Sequence, residues 1–534
     1  MKVVLTRTGS ECPIVSHPTR VVKSNPGVPD VHGAFSVEEF SYTDDLKRTH
    51  EDAEGFLDYL ENWHAKNFWY QDANVKNWAF GETFDNWQDT YGVDAVLAAY
   101  FSSHGSMGDD GNFAACMGSD WADQGHHAFS HNMRVGNEQA NYLWWSACLS
   151  MRIRDGHDPI RTWSPASLGF RMMFGYETTS VDDGDYGEDF WDEWNEGKSL
   201  SSAFLDASWG ISSDQIPVAV AVGATKDEAI NRVFNERMLE WSHVSDNWWW
   251  WRWYEKANPA RRAPNSKLPA EPLIGVLRRT PVDGRYVRAI LQRHKLDVPL
   301  PAQVAANING TFYVKHGPLR LAFRGDGTYE IEYRRPNLGN HSPLKEEEAI
   351  RLAESFIREE KLAQNMELTF DHIRYCKVGG AAKKRRETVE PYTAETTVEF
   401  AQIVNGIPVI SQKRGRIRVS IDNDGRITRL QNDTREIAGL SKYPKGSLPG
   451  PDEKLSMHDL DAYRRLLQQG WERRLRVRQA MGKKPSEMRL MPRTDEIGYE
   501  VFGDEMALYA RGLVEITMPG GFSKRYYVSY PILR

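Results

Sequence analysis

Cysteine is scarce in this chain of 534 residues: Cys12, Cys116, Cys148 and Cys376 stand far apart, and no C-x-x-C pair occurs. A disulfide scaffold and a zinc knuckle are thereby excluded as organising elements, and free thiols are expected. Long apolar runs are missing too. Nothing approaches the roughly 20 consecutive apolar residues that span a bilayer. The first 26 residues also lack the apolar centre of a secretion signal. No membrane span and a cytoplasmic location are therefore expected. Charge of one sign does not dominate either: a net charge of −7 is small for this length and speaks against nucleic acid or anionic lipid as a partner. What is present suits a folded protein, with 40% apolar and 26% charged residues and a surplus of aromatics that includes 18 tryptophans. The length exceeds what one hydrophobic core supports, so several domains are expected.

Apolar periodicity breaks most sharply over residues 257–272, ANPARRAPNSKLPAEP, which reads as a linker. The chain then divides into an N-terminal extension (1–34), a first domain (35–256), the linker, and two α+β modules (273–440 and 441–534). Within the first domain, residues 55–64 read as helix, 93–101, 143–149, 170–176 and 217–223 as buried strands, and a helical stretch starts near Glu188. Strands alternating with helices predict an α/β fold, a mostly parallel sheet with helices on both faces. After the linker, Ser342 and Pro343 read as an N-cap and first helical residue, and Ala349, Leu352, Ala353, Phe356 and Ile357 recur at helical spacing. Val398, Phe400, Ile417, Val419 and Ile421 alternate at period two, with Asp424 and Gly425 as a hairpin turn. That is a helix on an antiparallel sheet. A helical stretch at 459–475 and strand-like runs at 498–501, 508–518 and 525–530 echo it, and the basic stretch 379–387 reads as an exposed loop.

Two apolar runs end on chemistry. VDAVLAAYFSSHG closes on His104 and Gly105, and YLWWSAC closes on Cys148, 44 residues after the histidine. In an open parallel sheet, residues just past the carboxyl ends of neighbouring strands share a crevice, so a His and a Cys placed there can meet. An imidazole that takes the thiol proton yields the attacking thiolate and later protonates the leaving amine. Gly105, lacking a side chain, lets its N–H approach a developing oxyanion together with the Cys148 N–H. Weighed against this, a cysteine after an apolar run is usually an inert core residue. No third member of a triad is readable.

FSSHG followed by WWSAC resembles the paired His-Gly and Ala-Cys blocks of the caspase-like (clan CD) peptidases, and LGFRMMFGYETTSVD with GKSLSSAFLDA is similar to the region after the nucleophile in a bacterial branch of that fold. The resemblance covers roughly residues 35–256 and implies His104 and Cys148 as dyad, Gly105 as oxyanion glycine, and peptide-bond hydrolysis. Clan members that cut after basic residues use an acidic first pocket, for which Asp182, Asp183 and Asp185 are the candidates; a solvated acidic turn or a calcium-attracting loop is the alternative. VEFAQIVNGIPVISQKRGRIRVSIDNDGRITRL is similar to PepSY-type propeptide modules, which implies a C-terminal half that regulates access to Cys148, and an exported protein. Cytoplasm and export both stand.

Two further features need a place. Asp120, Asp123, His126, His127 and His131 lie close together, with His127 and His131 at the spacing of a helical metal pair. The segment has no H-E-x-x-H and is broken by glycine, so an active-site loop is the better reading. Adjacent aromatics at residues 247–256 read as a final helix wedged between the domains or as a peptide- or sugar-binding shelf. The expectation is a cysteine peptidase acting on a peptide or protein with no cofactor beyond possible calcium. Its alternatives are a silent caspase-like binding scaffold, a peptide ligase, or a metal-dependent hydrolase. Arg261 and Arg262 in the linker would be a site of self-cleavage.

Overall fold

The computed structural model describes residues 3–4, 11–15, 30–122, 125–257, 273–300, 310–442, 487–492 and 494–532, with isolated positions at 469, 472 and 476. The linker beyond Ala257, the dipeptide Arg261 and Arg262, the stretch 459–475 apart from positions 469 and 472, and Asp123 lie outside the described residues. Strand β1 (Val3–Val4) opens the chain, followed by β2 (His32–Ser36), helix α1 (Thr49–Glu61), β3 (Phe68–Gln71), helix α2 (Asp85–Tyr91) and β4 (Ala98–Ser102). A small antiparallel sheet follows, made of β5 (Gly105–Met107), β6 (Phe113–Cys116) and β7 (His127–Phe129). Then come β8 (Tyr142–Ser146), α3 (Pro159–Trp163), β9 (Met172–Tyr176), α4 (Tyr186–Asn195), α5 (Leu200–Ile211), β10 (Pro217–Gly223), α6 (Lys226–Asn235) and β11 (Trp248–Lys256).

Strands β3, β2, β4, β8 and β9 lie side by side in that order and pair in parallel. β2, β4, β8 and β9 are buried along their whole length, as apolar strands covered on both faces must be. One face packs on α1, α4, α5 and α6, including Phe56, Trp191 and Leu205. The other is covered by α3, by turns and by the small sheet, through Trp163, Phe80 and Phe113. Side-chain caps start the helices: Ser199 accepts from the Ser202 N–H at α5, and Thr225 from the Glu228 N–H at α6.

The tryptophan run is β11, a strand rather than the helix expected from its adjacent aromatics. Trp249, Trp251 and Trp253 enter the core of one sheet face, while Trp250 and Tyr254 enter the other. Alternation buries every position of a two-sided strand, so the run loses the period that would tell it from a helix. β11 pairs antiparallel with β10 on one edge and with β16 (Glu367–Ala382) on the other. The start of the stretch 379–387, including Gly379 and Gly380, therefore belongs to a strand and not to the exposed loop expected there. A Cβ on Gly380 would collide with the Trp250 ring, so glycine makes room for the indole.

The sheet continues beyond β11. Along the chain come β12 (Leu273–Leu277), α7 (Gly284–Arg293), β13 (Phe312–His316), β14 (Leu319–Phe323), β15 (Tyr329–Glu332), α8 (Glu346–Glu359) and β16. β17 (Thr388–Val404), β18 (Ile407–Pro408), β19 (Arg416–Asp422) and β20 (Ile427–Asn432) follow. From β11 the order runs β16, β17, β19, β20, β15, β14, β13 and β1, all antiparallel. The chain is thus mixed α/β, its largest sheet mostly antiparallel, with parallel pairing confined to the run from β3 to β9. Ala349, Ala353 and Ile357 of α8 pack on Val398, Phe400, Ile417 and Val419, the helix-on-sheet arrangement read from the sequence. The helix starts at Glu346, later than Ser342, and Gly425 takes the positive φ of the β19–β20 turn.

A second sheet joins β12 to β21 (Ile437–Lys442), β22 (Glu487–Leu490), β23 (Glu496–Phe502), β24 (Glu505–Thr517) and β25 (Ser523–Pro531). β24 and β25 form a long hairpin whose turn, Pro519–Gly521, has Gly520 and Gly521 at positive φ.

Charge is buried where α4 and α5 meet β15, β19 and β20. Lys198, fully enclosed, has its Nζ 2.9 Å from Asp206, 3.0 Å from Glu330 and 3.5 Å from Glu196, and also bonds Glu193. Arg429 grips both Asp206 oxygens at 2.9 Å, and Arg324 reaches Asp433 at 2.6 Å while also pairing with Glu196. Removing one partner from such a network strands the others without water. Lys198→Met is therefore expected to destabilise the protein by about 3–5 kcal/mol, read as a lowered denaturant midpoint; an unchanged midpoint would show that the carboxylates are compensated elsewhere.

Candidate functional site

β4 and β8 run parallel with Ser102 opposite Ser146, and the Ser103 N–H donates to the Ser146 carbonyl at 3.4 Å. Two residues past that pair, at the same edge of the sheet, stand His104 and Cys148, both fully buried. Gly105 fits against the second strand's end: a Cβ there would lie 2.6 Å from the Cys148 carbonyl oxygen and 2.7 Å from the Phe113 ring. The Cys116 N–H donates to the His104 carbonyl at 3.1 Å, so the next pair, Gly105 with Ala115, is the non-hydrogen-bonded one. Alternation therefore turns the Gly105 N–H away from β6.

The imidazole is oriented by a group no sequence motif marks. His104 Nε2 lies 3.0 Å from the backbone carbonyl of Asp44, in the loop after β2. A carbonyl can only accept, so Nε2 carries the proton and Nδ1 is the basic nitrogen of the neutral ring. Phe40, from the same loop, packs on the imidazole with centroids 4.8 Å apart. That loop is pinned by Asp72, whose Oδ1 accepts the N–H groups of Glu38 and Glu39 at 2.8 and 3.0 Å.

Around the sulfur, the Ser180 N–H donates to Cys148 Sγ at 3.3 Å and Ser180 Oγ lies 3.5 Å away. Lys524 Nζ, from β25, donates to Ser180 Oγ at 3.1 Å. Since an ammonium only donates, Ser180 Oγ accepts from Lys524, and across the 3.5 Å to the sulfur either the thiol or the hydroxyl can be the donor. Beneath lies Asp52 of α1, bonded by Tyr100 Oη at 2.5 Å, Ser102 Oγ at 2.7 Å and the Gly187 N–H at 3.1 Å. Burial pushes its carboxyl up to about 6, against those hydroxyl bonds and the attraction of Lys524.

The three acidic candidates separate. Asp182 stays at the site: its Oδ2 accepts the Lys47 N–H at 3.1 Å, its N–H donates to the Arg525 carbonyl at 2.8 Å, and burial raises its pKa against the pull of Lys524. Asp183 accepts the Asp185 N–H at 3.0 Å, and Asp185 is the exposed residue preceding α4, so these two form the helix entry. The histidines of the 120s do not form the expected helical pair. His127 lies on β7 and His131 in the turn Ser130–Asn132. His126 Nδ1 pairs with Asp120 at 2.9 Å, and His131 Nε2 sits 3.3 Å from the Arg161 carbonyl. Among the described residues no three His, Cys, Asp or Glu side chains come together as a metal cluster. His127 does line the site, its ring stacked 5.5 Å from Phe522.

A family model described as a domain of unknown function, DUF6345, matches residues 34–254, less than half of the chain. The match begins within β2, ends within β11 and takes in His104, Gly105, Cys148, Ser180 and Asp182, but not Phe522 or Lys524. No curated protein matches the chain. Among the described residues no helix is long and apolar enough to cross a membrane.

A carboxyl whose folded pKa exceeds its unfolded value of about 3.9 contributes stability that is complete below that value and is lost as pH rises through the folded pKa. For Asp52 that loss sets in above the unfolded value and is nearly complete once the pH has passed about 6. Tyr100→Phe removes a donor to the carboxylate and moves the pKa higher still. The drop in melting temperature between pH 5 and pH 8 is then expected to be larger in the variant than in the wild type; equal drops would mean that Asp52 does not titrate in this range.

Proposed function

We propose that this protein is a cysteine peptidase with Cys148 as nucleophile and His104 as general base and acid. The observation that carries the reading is the pairing of β4 with β8, which sends a histidine and a cysteine out of one sheet edge side by side, with the histidine's proton fixed on Nε2 by the Asp44 carbonyl. Support also comes from the strand order. The loops after β2 and β4, which carry Asp44 and His104, flank the point where the chain reverses its direction of winding, the usual place for a site in such sheets. Both features agree with the caspase-like resemblance of residues 35–256.

In this mechanism His104 Nδ1 takes the Cys148 thiol proton as Sγ attacks the scissile carbonyl. Negative charge on the carbonyl oxygen is met by the N–H groups of Gly105 and Cys148. The His104 proton passes to the leaving amine, and water then hydrolyses the thioester with His104 again acting as base. Asp182 and Asp52, both under the attraction of the Lys524 ammonium, are the acidic groups that would receive a lysine or arginine side chain.

One observation favours a second reading, a binding scaffold without activity: both members of the dyad are fully buried. Hydrolysis of lysyl and arginyl peptide amides by the purified full chain separates the two. A peptidase loses all activity in Cys148→Ala and about 10²–10⁴-fold in His104→Ala. Hydrolysis that survives Cys148→Ala, or iodoacetamide labelling of Cys148 whose pH profile ignores His104→Ala, would remove the dyad from consideration.

A further inference from the structure

The turn of the β24–β25 hairpin lies in the candidate site, although it is more than 370 residues from Cys148 in the sequence. Phe522 covers His104 with ring centroids 5.6 Å apart and stacks on His127, and it is buried. Two residues on, Lys524 reaches inward. Its Nζ donates to Ser180 Oγ, the hydroxyl next to Cys148 Sγ, and its charge attracts the carboxylates of the buried Asp52 and the half-buried Asp182. Only 2% of Lys524 is exposed, so the ammonium has exchanged water for these partners.

The backbone is held in the manner of a bound peptide. Arg525 forms a parallel bridge with Val181, its N–H donating to the Ser180 carbonyl at 3.1 Å and its carbonyl accepting the Asp182 N–H at 2.8 Å. Extended peptides are recognised by such strand pairing, main-chain bonds holding the backbone while a neighbouring side chain is read; here Arg525 supplies the bonds and the adjacent Lys524 the side chain. The Arg525 guanidinium reaches past the site to the Asp214 carbonyl at 2.7 Å and to Glu515 at 2.9 Å, which ties the strand down. On the outer side, a Cβ at Gly520 would stand 2.8 Å from the Tyr42 ring, so the turn closes against the loop that carries Asp44.

We infer that the hairpin tip carrying Phe522 and Lys524 is a built-in pseudo-substrate that occupies the Cys148 site, and that the site opens to an outside peptide only when this tip withdraws. The inference rests on the proposed peptidase reading for the word substrate, but the covering itself does not. It also accounts for a His104 and a Cys148 that leave neighbouring strand ends and are both buried. The occupant defines what displaces it: an extended peptide with a lysine or arginine two residues after an aromatic side chain.

The test uses the full chain and follows iodoacetamide alkylation of Cys148 by peptide mass at pH 7. Phe522→Ala combined with Lys524→Met is expected to raise the rate about tenfold or more, as the open fraction grows. A synthetic peptide of residues 519–526 added to that variant should bring the rate back down. Where the double variant does not fold, Lys524→Met alone, which keeps the aromatic cover and the methylene stem, carries the same test with a smaller rise in the same direction. A folded variant whose Cys148 labels at the wild-type rate overturns the inference, even if labelling still depends on His104. A rate that rises in the variant but is indifferent to an added His104→Ala supports the covering and overturns the dyad, so the two failures are distinct.

Discussion

The pairing of β11 at both of its edges is the constraint from which the remaining geometry follows. A strand bonded to β10 on one side and β16 on the other converts two halves of the chain into one sheet. From β16 the chain folds back as β17, whose end carries β18, and there Val409 bridges Tyr499 while the Ile410 N–H donates to the Tyr499 carbonyl at 2.9 Å. Tyr499 lies on β23, which pairs with β24, which pairs with β25. An unbroken path of main-chain hydrogen bonds therefore runs from the tryptophan strand to the hairpin that meets Ser180. Packed strands are stiff compared with a loop, so Lys524 is held at a defined depth.

Apolar burial alone would not fix how α4 and α5 sit on the far half of the sheet, since apolar surfaces tolerate sliding. The charges do. Lys198 must meet Asp206, Glu330, Glu196 and Glu193 at once, and Arg429 of β20 must grip Asp206 of α5 through both oxygens. Shifting the interface by one residue would leave several ions buried and unpaired, each costing several kcal/mol. The network thus works as a registry device, and it lies on the same unit whose other end carries the candidate site.

Local pattern made much of the first half legible. Residues 217–223 coincide with β10, and the apolar runs ending on His104 and Cys148 contain β4 and β8 with both residues just past the strand ends. The tryptophan run failed because two-sided burial erases period two, and 93–101 overran its strand because Val93–Ala95 is a 3-10 turn. Asp182 could not be told from Asp183 and Asp185, since what separates them is the start of α4 and the approach of Lys524. The partner that orients His104 is a backbone carbonyl, which every residue possesses, so no side chain could have marked Asp44. Phe522 and Lys524 were invisible for another reason: GGFSKRYY reads as an ordinary turn into a strand, and only long-range pairing brings it to Ser180.

Electrostatics explain why a lysine is the residue that sits there. Asp52 is removed from water and Asp182 is half-buried, and burial disfavours the charged form of each carboxyl while the Lys524 charge favours it. A neutral occupant would leave that cost in place, whereas an ammonium offsets it with attraction strengthened by the low local dielectric. Ser180 adds direction, because its hydroxyl accepts from the lysine on one side and faces Cys148 Sγ on the other. The pocket therefore reads charge and reach at the same time. A side chain too short to meet Ser180 would place no charge near these carboxylates, and one without charge would give up the attraction that Lys524 supplies to each of them.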